Sequence, residues 1–171
     1  MKKVLIYTTG GTIEKSYCEF DGSLSNRESL LKEKLLKKIR LPHTEIEVTE
    51  VLHKDSLAMR RADREFIWRR VESDLVLGHP ILILHGTDTM VETATLFHET
   101  CPVPPVPIIF TGAMRPMGFE DTDATQNVIE ALMASHLVQP GIYISFHGEL
   151  FPLPNVKKDR DLGTFVRTKS E

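Results

Sequence analysis

The chain has 171 residues, of which 41% are apolar and 26% are charged, and its formal net charge is -3 at pH 7. This composition supplies enough apolar surface for an ordinary core without metals or disulfides, so we expect a single domain over residues 1–171. The slight negative charge gives no electrostatic footprint for nucleic acid or for an anionic membrane surface, which leaves a small molecule as the expected partner.

The start of the chain and its cysteines favour a cytoplasmic protein. Met-Lys-Lys is followed by only four apolar residues, too few for the core of a signal peptide, and no run approaches the roughly 18 apolar residues of a membrane span. Cys18 and Cys101 have no CxxC spacing and no companion pair, so neither a zinc site nor a disulfide framework is predicted.

Short apolar runs predict five strands, at residues 4–7, 46–52, 81–84, 107–110 and 141–146. The segments between these runs have helical spacing instead of strict alternation.

The first predicted helix lies between strands one and two. Ser25 and Glu28 form a capping box, Leu31 and Leu35 continue the apolar stripe, and Pro42 ends the helix.

Three further helices separate the remaining strands. Ile67, Val71 and Leu75 stripe the second, which Gly78 stops, and the third spans residues 90–99. The fourth is capped by Asp123 and runs towards the fifth strand. Strands and helices therefore alternate along the chain, which predicts an α/β fold with three layers, a doubly wound and mainly parallel sheet between helices.

Such sheets bind ligands beyond the carboxyl ends of the strands, where the strand order reverses. For a strand order of 2-1-3-4-5, that point lies between strands one and three. TTGGT follows strand one at residues 8–12, and HGTDT follows strand three at residues 85–89. The first stretch lacks the full pattern of a phosphate loop or of a dinucleotide site. The alternative to a ligand-binding loop is a tight turn in which glycine only supplies positive φ.

The residue types at these two strand ends favour acyl transfer. A threonine hydroxyl is a poor nucleophile until a base takes its proton, and a carboxylate or a lysine can serve. Asp88 follows Thr87 directly and can orient such a base. Neighbouring glycines let a planar group approach the backbone and expose N–H donors to a developing oxyanion.

Three motifs carry a family resemblance: TGGTI at residues 9–13, HGTDTMVETA at 85–94 and TGAMRP at 111–116. Together they resemble the bacterial L-asparaginases, which are threonine amidohydrolases. The resemblance spans nearly the whole chain and covers the larger N-terminal domain of that family. It implies an amidohydrolase that cleaves the side-chain amide of L-asparagine or a related small amide, with no cofactor and no metal.

The resemblance also implies catalytic roles. Thr12 would be the nucleophile, under a lid at residues 13–24 in which Tyr17 contacts it, although Phe20 competes for that place. Thr87 and Asp88 would act with a lysine after strand five.

Two lysines compete for that last role. Counting forward from the strand gives Lys158, which we favour, and counting back from Thr164 gives Lys157.

Substrate contacts are implied at the ends of strands one to four, namely at Gly11, His53, Lys54, Asp55, Ser56, Gly86 and Ala113. The family pattern leads one to expect Ser and Gln, or two serines, where this chain reads His-Lys-Asp-Ser. A lysine there would attract a carboxylate and reshape the pocket, so we expect slow turnover of asparagine and a preference for another amide, including one with an extra negative group. Alternatively, Lys54 pairs with Asp55 at the rim, and Ser56 alone binds the substrate.

Other interpretations of these residues are structural. His53, His85 and His147 follow strands, but no HxH or HExxH spacing predicts a metal site. Arg115 could bind an anion, although a role in bonding loop carbonyls is favoured, and Met114 is interpreted as core filler.

Two functional alternatives stay open from the sequence. One is an amidotransferase-type deamidase that acts with a partner, and the other is a binding module that does not turn its ligand over. In the family, the smaller C-terminal domain helps to build a dimer and supplies a glutamate to the neighbouring site. We therefore expect a homodimer, with Glu14 or Glu19 of the lid, or an acidic residue of the partner chain, in place of that carboxylate.

Overall fold

The computed structural model of the protein describes residues 1–17, 20, 24–26, 31 and 35–168. The strands of this part are, in chain order, β1 (Lys2–Gly10), β2 (Lys15–Tyr17), β3 (Leu24–Asn26), β4 (Thr44–Lys54), β5 (Ile81–Leu84), β6 (Pro107–Thr111), β7 (Gly141–Phe146), β8 (Glu149–Pro152), β9 (Val156–Asp159) and β10 (Thr164–Arg167). The helices are α1 (Arg61–Glu72), α2 (Met90–Thr100) and α3 (Ala124–Ser135). None of the described helices is long and apolar enough to cross a bilayer.

Six strands form the central sheet, in the order β4-β1-β5-β6-β7-β8. The first five pair in parallel, and β8 pairs with β7 in the antiparallel direction. The predicted order 2-1-3-4-5 is therefore confirmed, with one added edge strand. The point where the order reverses lies between β1 and β5, so the loops after these two strands meet at the same edge of the sheet.

The parallel strands are buried on both faces, which explains their continuous apolar runs. In β5, Ile81 and Ile83 belong to the core on the side of α1 and α2. Leu82 and Leu84 belong to the core on the side of α3. Helices thus cover both faces, as the three-layer prediction requires.

The first predicted helix falls only partly on residues that the structure describes. Ser25 lies in β3, which pairs with β2. Glu28 lies outside the described residues. Leu31 and Leu35 are fully buried in the core beside α3, and a 3-10 turn follows at Leu36–Lys38. The apolar spacing therefore identified core residues.

The second predicted helix is shorter than its apolar stripe indicates. Helix α1 ends at Glu72, and a separate 3-10 turn follows at Leu75–Leu77. Gly78 ends that turn with φ 69°, in the left-handed region that favours glycine.

Candidate active site

The loops after β1 and β5 touch through two glycines. A Cβ atom added to Gly11 would lie 2.4 Å from Cα of Gly86, and Gly11 has φ +83°. Thr12 follows one of these glycines and Thr87 follows the other. Glycine is therefore required for packing of the two loops, and the two threonines extend from backbones that are in contact.

Only Thr12 among the threonines of the first loop is partly exposed. Thr8 and Thr9 are fully buried, and the Thr9 hydroxyl donates a hydrogen bond to the Leu84 carbonyl oxygen at 2.9 Å. Thr12 begins a 3-10 turn that continues through Glu14. The structure thus leaves Thr12 as the hydroxyl of this loop that a ligand can reach.

The two glycine N–H groups of the first loop have partners within the protein. Gly10 donates to Oε2 of Glu14 at 2.8 Å, and Gly11 donates to the Lys54 carbonyl oxygen at 3.0 Å. The expectation that glycines beside the hydroxyls expose N–H donors to an oxyanion does not hold for these two N–H groups, because they fix the loop.

The clearest cluster of reactive side chains joins Thr87, Asp88 and Lys158. Nζ of Lys158 lies 2.8 Å from the Thr87 hydroxyl oxygen and 2.9 Å from Oδ1 of Asp88. Thr87 is only 4% exposed, and the Lys158 side chain is 15% exposed. Lys158 lies in β9, where it pairs with Phe165 of β10. The hairpin thus carries a lysine from the far end of the chain to the loop after β5.

The structure separates the two candidate lysines. Lys157 is exposed and pairs with Val166, whereas Lys158 contacts the threonine. Adjacent residues of a strand point to opposite sides, so only one of the two can reach this cluster.

Met114 is a contact of this cluster that sequence reasoning missed. The Thr87 hydroxyl donates to the Met114 sulfur, with an oxygen-to-sulfur distance of 3.6 Å. A thioether is a weak acceptor. Met114 is therefore more than core filler, since it orients the proton of a hydroxyl whose oxygen accepts from Lys158.

The loop after β6 is held by the carboxylate of Asp123. This group accepts hydrogen bonds from the backbone N–H of Met114 and Arg115 and from Nε2 of His147, at 2.9–3.0 Å. Burial raises the pKa of Asp123, but these hydrogen bonds outweigh burial and lower the pKa below its ordinary value. Asp123 does occupy the position before α3, although its side chain bonds this loop and does not cap the helix.

His147 links that loop to the hairpin of Lys158. Its Nδ1 lies 3.0 Å from the hydroxyl oxygen of Thr164 in β10, while its Nε2 contacts Asp123. Its backbone has φ 49° and donates to Oδ1 of Asn127 at 3.0 Å. His147 therefore bridges the two segments that contact Thr87.

His85 is a neutral structural residue. It is fully buried, its Nδ1 lies 2.8 Å from the Gly86 carbonyl oxygen, and its Nε2 lies 2.9 Å from the Thr93 hydroxyl. Burial lowers the pKa of His85 to about 4. These contacts place the imidazole under the loop that presents Thr87.

The charged residues at the end of β4 have partners that neither sequence-based expectation included. Nζ of Lys54 contacts both carboxylate oxygens of Asp63 in α1, at 2.7 and 2.8 Å. Asp55 pairs with Lys15 at 2.7 Å and accepts from the N–H of Leu57. Lys54 and Asp55 therefore do not pair with each other, and the Lys54 ammonium is held by a carboxylate of the same chain.

Ser56 lies beneath the contact of the two glycine loops. It is 1% exposed, and its hydroxyl oxygen lies 2.6 Å from where a Cβ atom of Gly86 would stand. Its carbonyl oxygen accepts from the Thr89 hydroxyl at 2.9 Å.

The remaining predicted residues lie away from this cluster or within the core. Nε2 of His53 lies 3.4 Å from Oε2 of Glu50, and Ala113 is 1% exposed in the core beside α3. The Arg115 side chain contacts Asp121 instead of loop carbonyls. Among the described residues, no group of three His, Cys, Asp or Glu side chains could hold a metal ion.

The predicted lid begins with buried residues. Ile13 is fully buried and Glu14 is 1% exposed, so the segment next to Thr12 is packed into the protein. Tyr17 is 61% exposed and Phe20 is fully exposed. No hydrogen bond joins the Tyr17 hydroxyl to Thr12 in the part of the chain that the structure describes. Glu19 lies outside the described residues.

Comparison with known proteins gives a consistent result. Residues 3–163 match the family model described as "Asparaginase, N-terminal". The chain is 31% identical over 163 residues to an L-asparaginase of Thermococcus kodakarensis, an alignment that covers 94% of this chain and 49% of that relative. The structure of the thermostable L-asparaginase from Thermococcus kodakarensis superposes with a TM-score of 0.87 at 30% identity, covering 96% of this chain and 51% of the other.

A second kind of relative matches a shorter segment. A glutamyl-tRNA(Gln) amidotransferase polypeptide of Methanococcus vannielii is 41% identical over 70 residues, which are 41% of this chain and 16% of that relative. The chain spans about half the length of the L-asparaginases to which it is similar.

Proposed function

The chain belongs to the asparaginase family, and from that premise we propose that it is an amidohydrolase which converts the side-chain amide of L-asparagine, or of a related small molecule, to the acid and ammonia. The observation that carries the proposal is the contact of Lys158 with both Thr87 and Asp88, at 2.8 and 2.9 Å. An amine in contact with a hydroxyl and a carboxylate is an arrangement that can activate a nucleophile.

In the proposed reaction, the Thr12 hydroxyl oxygen attacks the amide carbon and loses its proton. The C–N bond then breaks, the nitrogen takes that proton and leaves as ammonia, and an ester of Thr12 is formed. Water next attacks the ester carbon, which restores the Thr12 hydroxyl and releases the carboxylic acid. Lys158 takes a proton from the attacking water through the Thr87 hydroxyl and returns it to the Thr12 oxygen as the ester breaks, and Asp88 holds the Lys158 side chain in place.

Thr12 is assigned as nucleophile because it is the partly exposed hydroxyl of the first loop. Its neighbour Gly11 contacts Gly86, the residue before Thr87. This contact between the two loops supports the proposal, since both steps of the reaction occur at one carbon atom.

A deamidase that acts with a partner is the second candidate function. It is favoured by the 41% identity, over 70 residues, to the amidotransferase polypeptide. Such an enzyme would use the same threonine chemistry on a larger substrate, and it would release little ammonia from free asparagine. A ligand-binding relative without turnover is the third candidate, and it would release none.

The test is ammonia release from L-asparagine by the purified chain, measured with a coupled assay, for the wild type, Thr12→Ala and Thr87→Ala. We expect each variant to lose at least about a hundredfold in kcat, because residues that act as a unit are each required. Thr100→Ala is the matched control, since Thr100 is exposed at the end of α2. Retention of most of the wild-type rate in both site variants, with folding verified by circular dichroism, would exclude the threonine mechanism.

We further propose that the protein is cytoplasmic and acts as a homodimer. A chain with only two cysteines fits a reducing compartment. Helix α3 and the residues just after it expose the apolar side chains of Ile129, Met133 and Leu137, which a second chain could cover.

A further inference from the structure

We infer that His147 is a positioning residue of the proposed reaction, which keeps the Lys158 amine on the Thr87 hydroxyl by joining the two segments that contact Thr87. This inference rests on the proposed amidohydrolase function and adds a residue that lies outside the three family motifs. It begins at the Thr87 hydroxyl, which contacts Nζ of Lys158 at 2.8 Å and the sulfur of Met114 at 3.6 Å.

The Met114 contact belongs to the loop after β6. The backbone N–H of Met114 lies 3.0 Å from each carboxylate oxygen of Asp123. Oδ2 of Asp123 is also 2.9 Å from Nε2 of His147. One carboxylate therefore holds the backbone of Met114 and the imidazole of His147 at the same time.

The Lys158 contact belongs to the hairpin of β9 and β10. Lys158 lies opposite Phe165 in this hairpin, and Thr164 is the residue before Phe165. Nδ1 of His147 lies 3.0 Å from the Thr164 hydroxyl oxygen. His147 thus closes a ring of contacts that starts and ends at the Thr87 hydroxyl.

The direction of the two imidazole hydrogen bonds follows from Asp123. Burial raises the pKa of Asp123, but the hydrogen bonds that it accepts lower the pKa below its ordinary value, so the group is an ionised carboxylate at neutral pH and can only accept. Nε2 of His147 therefore donates to it. In the neutral ring, Nδ1 then accepts from the Thr164 hydroxyl. A glutamine amide also offers one donor and one acceptor on separate atoms.

The backbone of His147 allows a variant that separates positioning from folding. Its φ is 49°, in the left-handed region where glycine is free of strain. His147→Gly therefore relieves backbone strain while it removes both side-chain hydrogen bonds. The hairpin stays docked in this variant, because Phe165 is 2% exposed and packs against Phe146 with 5.0 Å between ring centroids.

The first measurement is kcat and KM for ammonia release from L-asparagine. We expect His147→Gly to lower kcat by roughly tenfold, as for loss of a hydrogen bond that holds the lysine. KM should change less, because the partners of the imidazole are protein groups, and the midpoint of urea unfolding should stay close to that of the wild type. His147→Gln should restore most of the rate.

A second variant removes the other half of one hydrogen bond. Thr164→Val keeps the shape of the side chain but has no hydroxyl, so it should lower kcat in the same way. The double variant with His147→Gly should be no worse than the poorer single variant, because both changes break the same link.

The second measurement does not depend on turnover. Lysine amines are methylated with formaldehyde and a borane reductant, and peptide mass spectrometry gives the extent at each lysine. Lys157 is exposed and serves as the internal reference, whereas the Lys158 side chain is 15% exposed and is held by Thr87 and Asp88. The ratio of Lys158 to Lys157 labelling should rise several-fold in His147→Gly and stay near the wild-type value in His147→Gln.

Arg167→Gln is the matched control, because it breaks another tie of the same hairpin. Nη2 of Arg167 lies 2.6 Å from Oε1 of Glu149 and 3.1 Å from the Leu150 carbonyl oxygen, at the end of β10 away from Thr164. This variant should keep the kcat and the labelling ratio of the wild type.

An unchanged kcat or an unchanged labelling ratio in His147→Gly, with ammonia released by the wild type, would overturn the inference and leave the proposed function standing. Equal changes in His147→Gly and Arg167→Gln would overturn it too, because any loosening of the hairpin would then have the same effect. If the wild type releases no ammonia, the proposed hydrolysis is wrong, and the labelling ratio alone decides whether His147 positions Lys158.

Discussion

At the scale of single residues, the adjacent lysines of β9 provide the sharpest test of the site. Lys158→Met should lower kcat for amide hydrolysis by at least about a hundredfold, because it removes the base beside Thr87. Lys157→Met should leave the rate nearly unchanged, since Lys157 is exposed. Ammonia release by the two variants, with equal circular dichroism spectra, measures the difference. Similar losses in both variants would show that Lys158 has no special role.

A second residue-scale prediction concerns the pH dependence of stability. The pKa of His85 is about 4 in the folded protein, because the imidazole is buried, and about 6.5 in the unfolded chain. Between these values the unfolded chain binds a proton that the folded protein does not. The free energy of unfolding should therefore fall as pH is lowered from about 6.5 to about 4, by about 3 kcal/mol in total from this group.

Urea unfolding at several pH values, on the wild type and on His85→Asn, measures this contribution. The asparagine amide can still donate to the Gly86 carbonyl oxygen but does not titrate. The variant should lose stability less steeply over the same interval, and the difference between the two curves removes the contribution of other groups such as His136. Parallel curves would mean that His85 does not cause the slope.

Single residues also show where sequence reasoning reaches its limit. Whether Lys157 or Lys158 contacts Thr87 depends on a shift of one residue in β9, and such a shift moves every side chain to the other face of the strand. The pairing of Lys54 with Asp63 could not be predicted either. A lysine side chain is long enough to reach several carboxylates, and only the folded structure determines which of them is near. The roles in catalysis and substrate binding assigned from the sequence stay predictions until variants are measured.

At the scale of elements, the buried strands were predictable and the short hairpins were not. The predicted limits of strand β5 match the observed ones, because a strand buried on both faces is a continuous apolar run. Strands β2 and β3 have three residues each, which is too short for an alternating pattern to be recognised. Strand β9 is also short and was not predicted. Its lysine was therefore assigned by counting residues along the sequence and not by locating a strand.

The contact between the two glycine loops leads to a prediction about stability. Gly11→Ala should lower the free energy of unfolding by roughly several kcal/mol. The added Cβ would lie 2.4 Å from Cα of Gly86, so one of the two loops must move. Gly11→Ala should also lower kcat, since Thr87 follows Gly86. Urea unfolding and ammonia release measure the two effects.

Gly78→Ala is the matched control for Gly11→Ala. Gly78 also has positive φ, at +69°, but no atom lies within 4 Å of the added Cβ. Gly78→Ala should lower the free energy of unfolding only by the backbone strain, about 1–2 kcal/mol, and should leave the rate of ammonia release unchanged. Equal losses of stability in the two variants would mean that the contact between the loops is not what requires glycine at position 11.

At the scale of the whole molecule, the order of elements was enough to predict the sheet and the edge at which the candidate site residues meet. Strand and helix alternate, and parallel strands with helical crossovers place loops of the same kind at one edge. The pairing of charges across that edge was not predictable, because it joins residues as distant in sequence as Asp88 and Lys158, which the hairpin after β8 brings together.

The last prediction concerns assembly of the molecule. Ile129, Met133 and Leu137 are spaced four residues apart, so they lie on one side of α3 and its end, and they are 41%, 62% and 73% exposed. Ile129 and Met133 also line a cavity of about 380 Å³, together with residues that include Ile39, Leu41 and His136. Exposed apolar surface of this kind is typical of contact between chains. Light scattering should therefore give about twice the chain mass of 19.4 kDa.

Met133→Glu should shift the protein towards the monomer, because burying a carboxylate in an apolar contact is costly. Val76→Glu is the control, since Val76 is 86% exposed on the 3-10 turn after α1. Ammonia release by the Met133→Glu monomer then shows whether each site needs a residue of the other chain: a loss of activity with an intact fold would indicate a shared site. A wild-type protein that is monomeric and fully active would exclude both the homodimer and the contribution of a partner carboxylate.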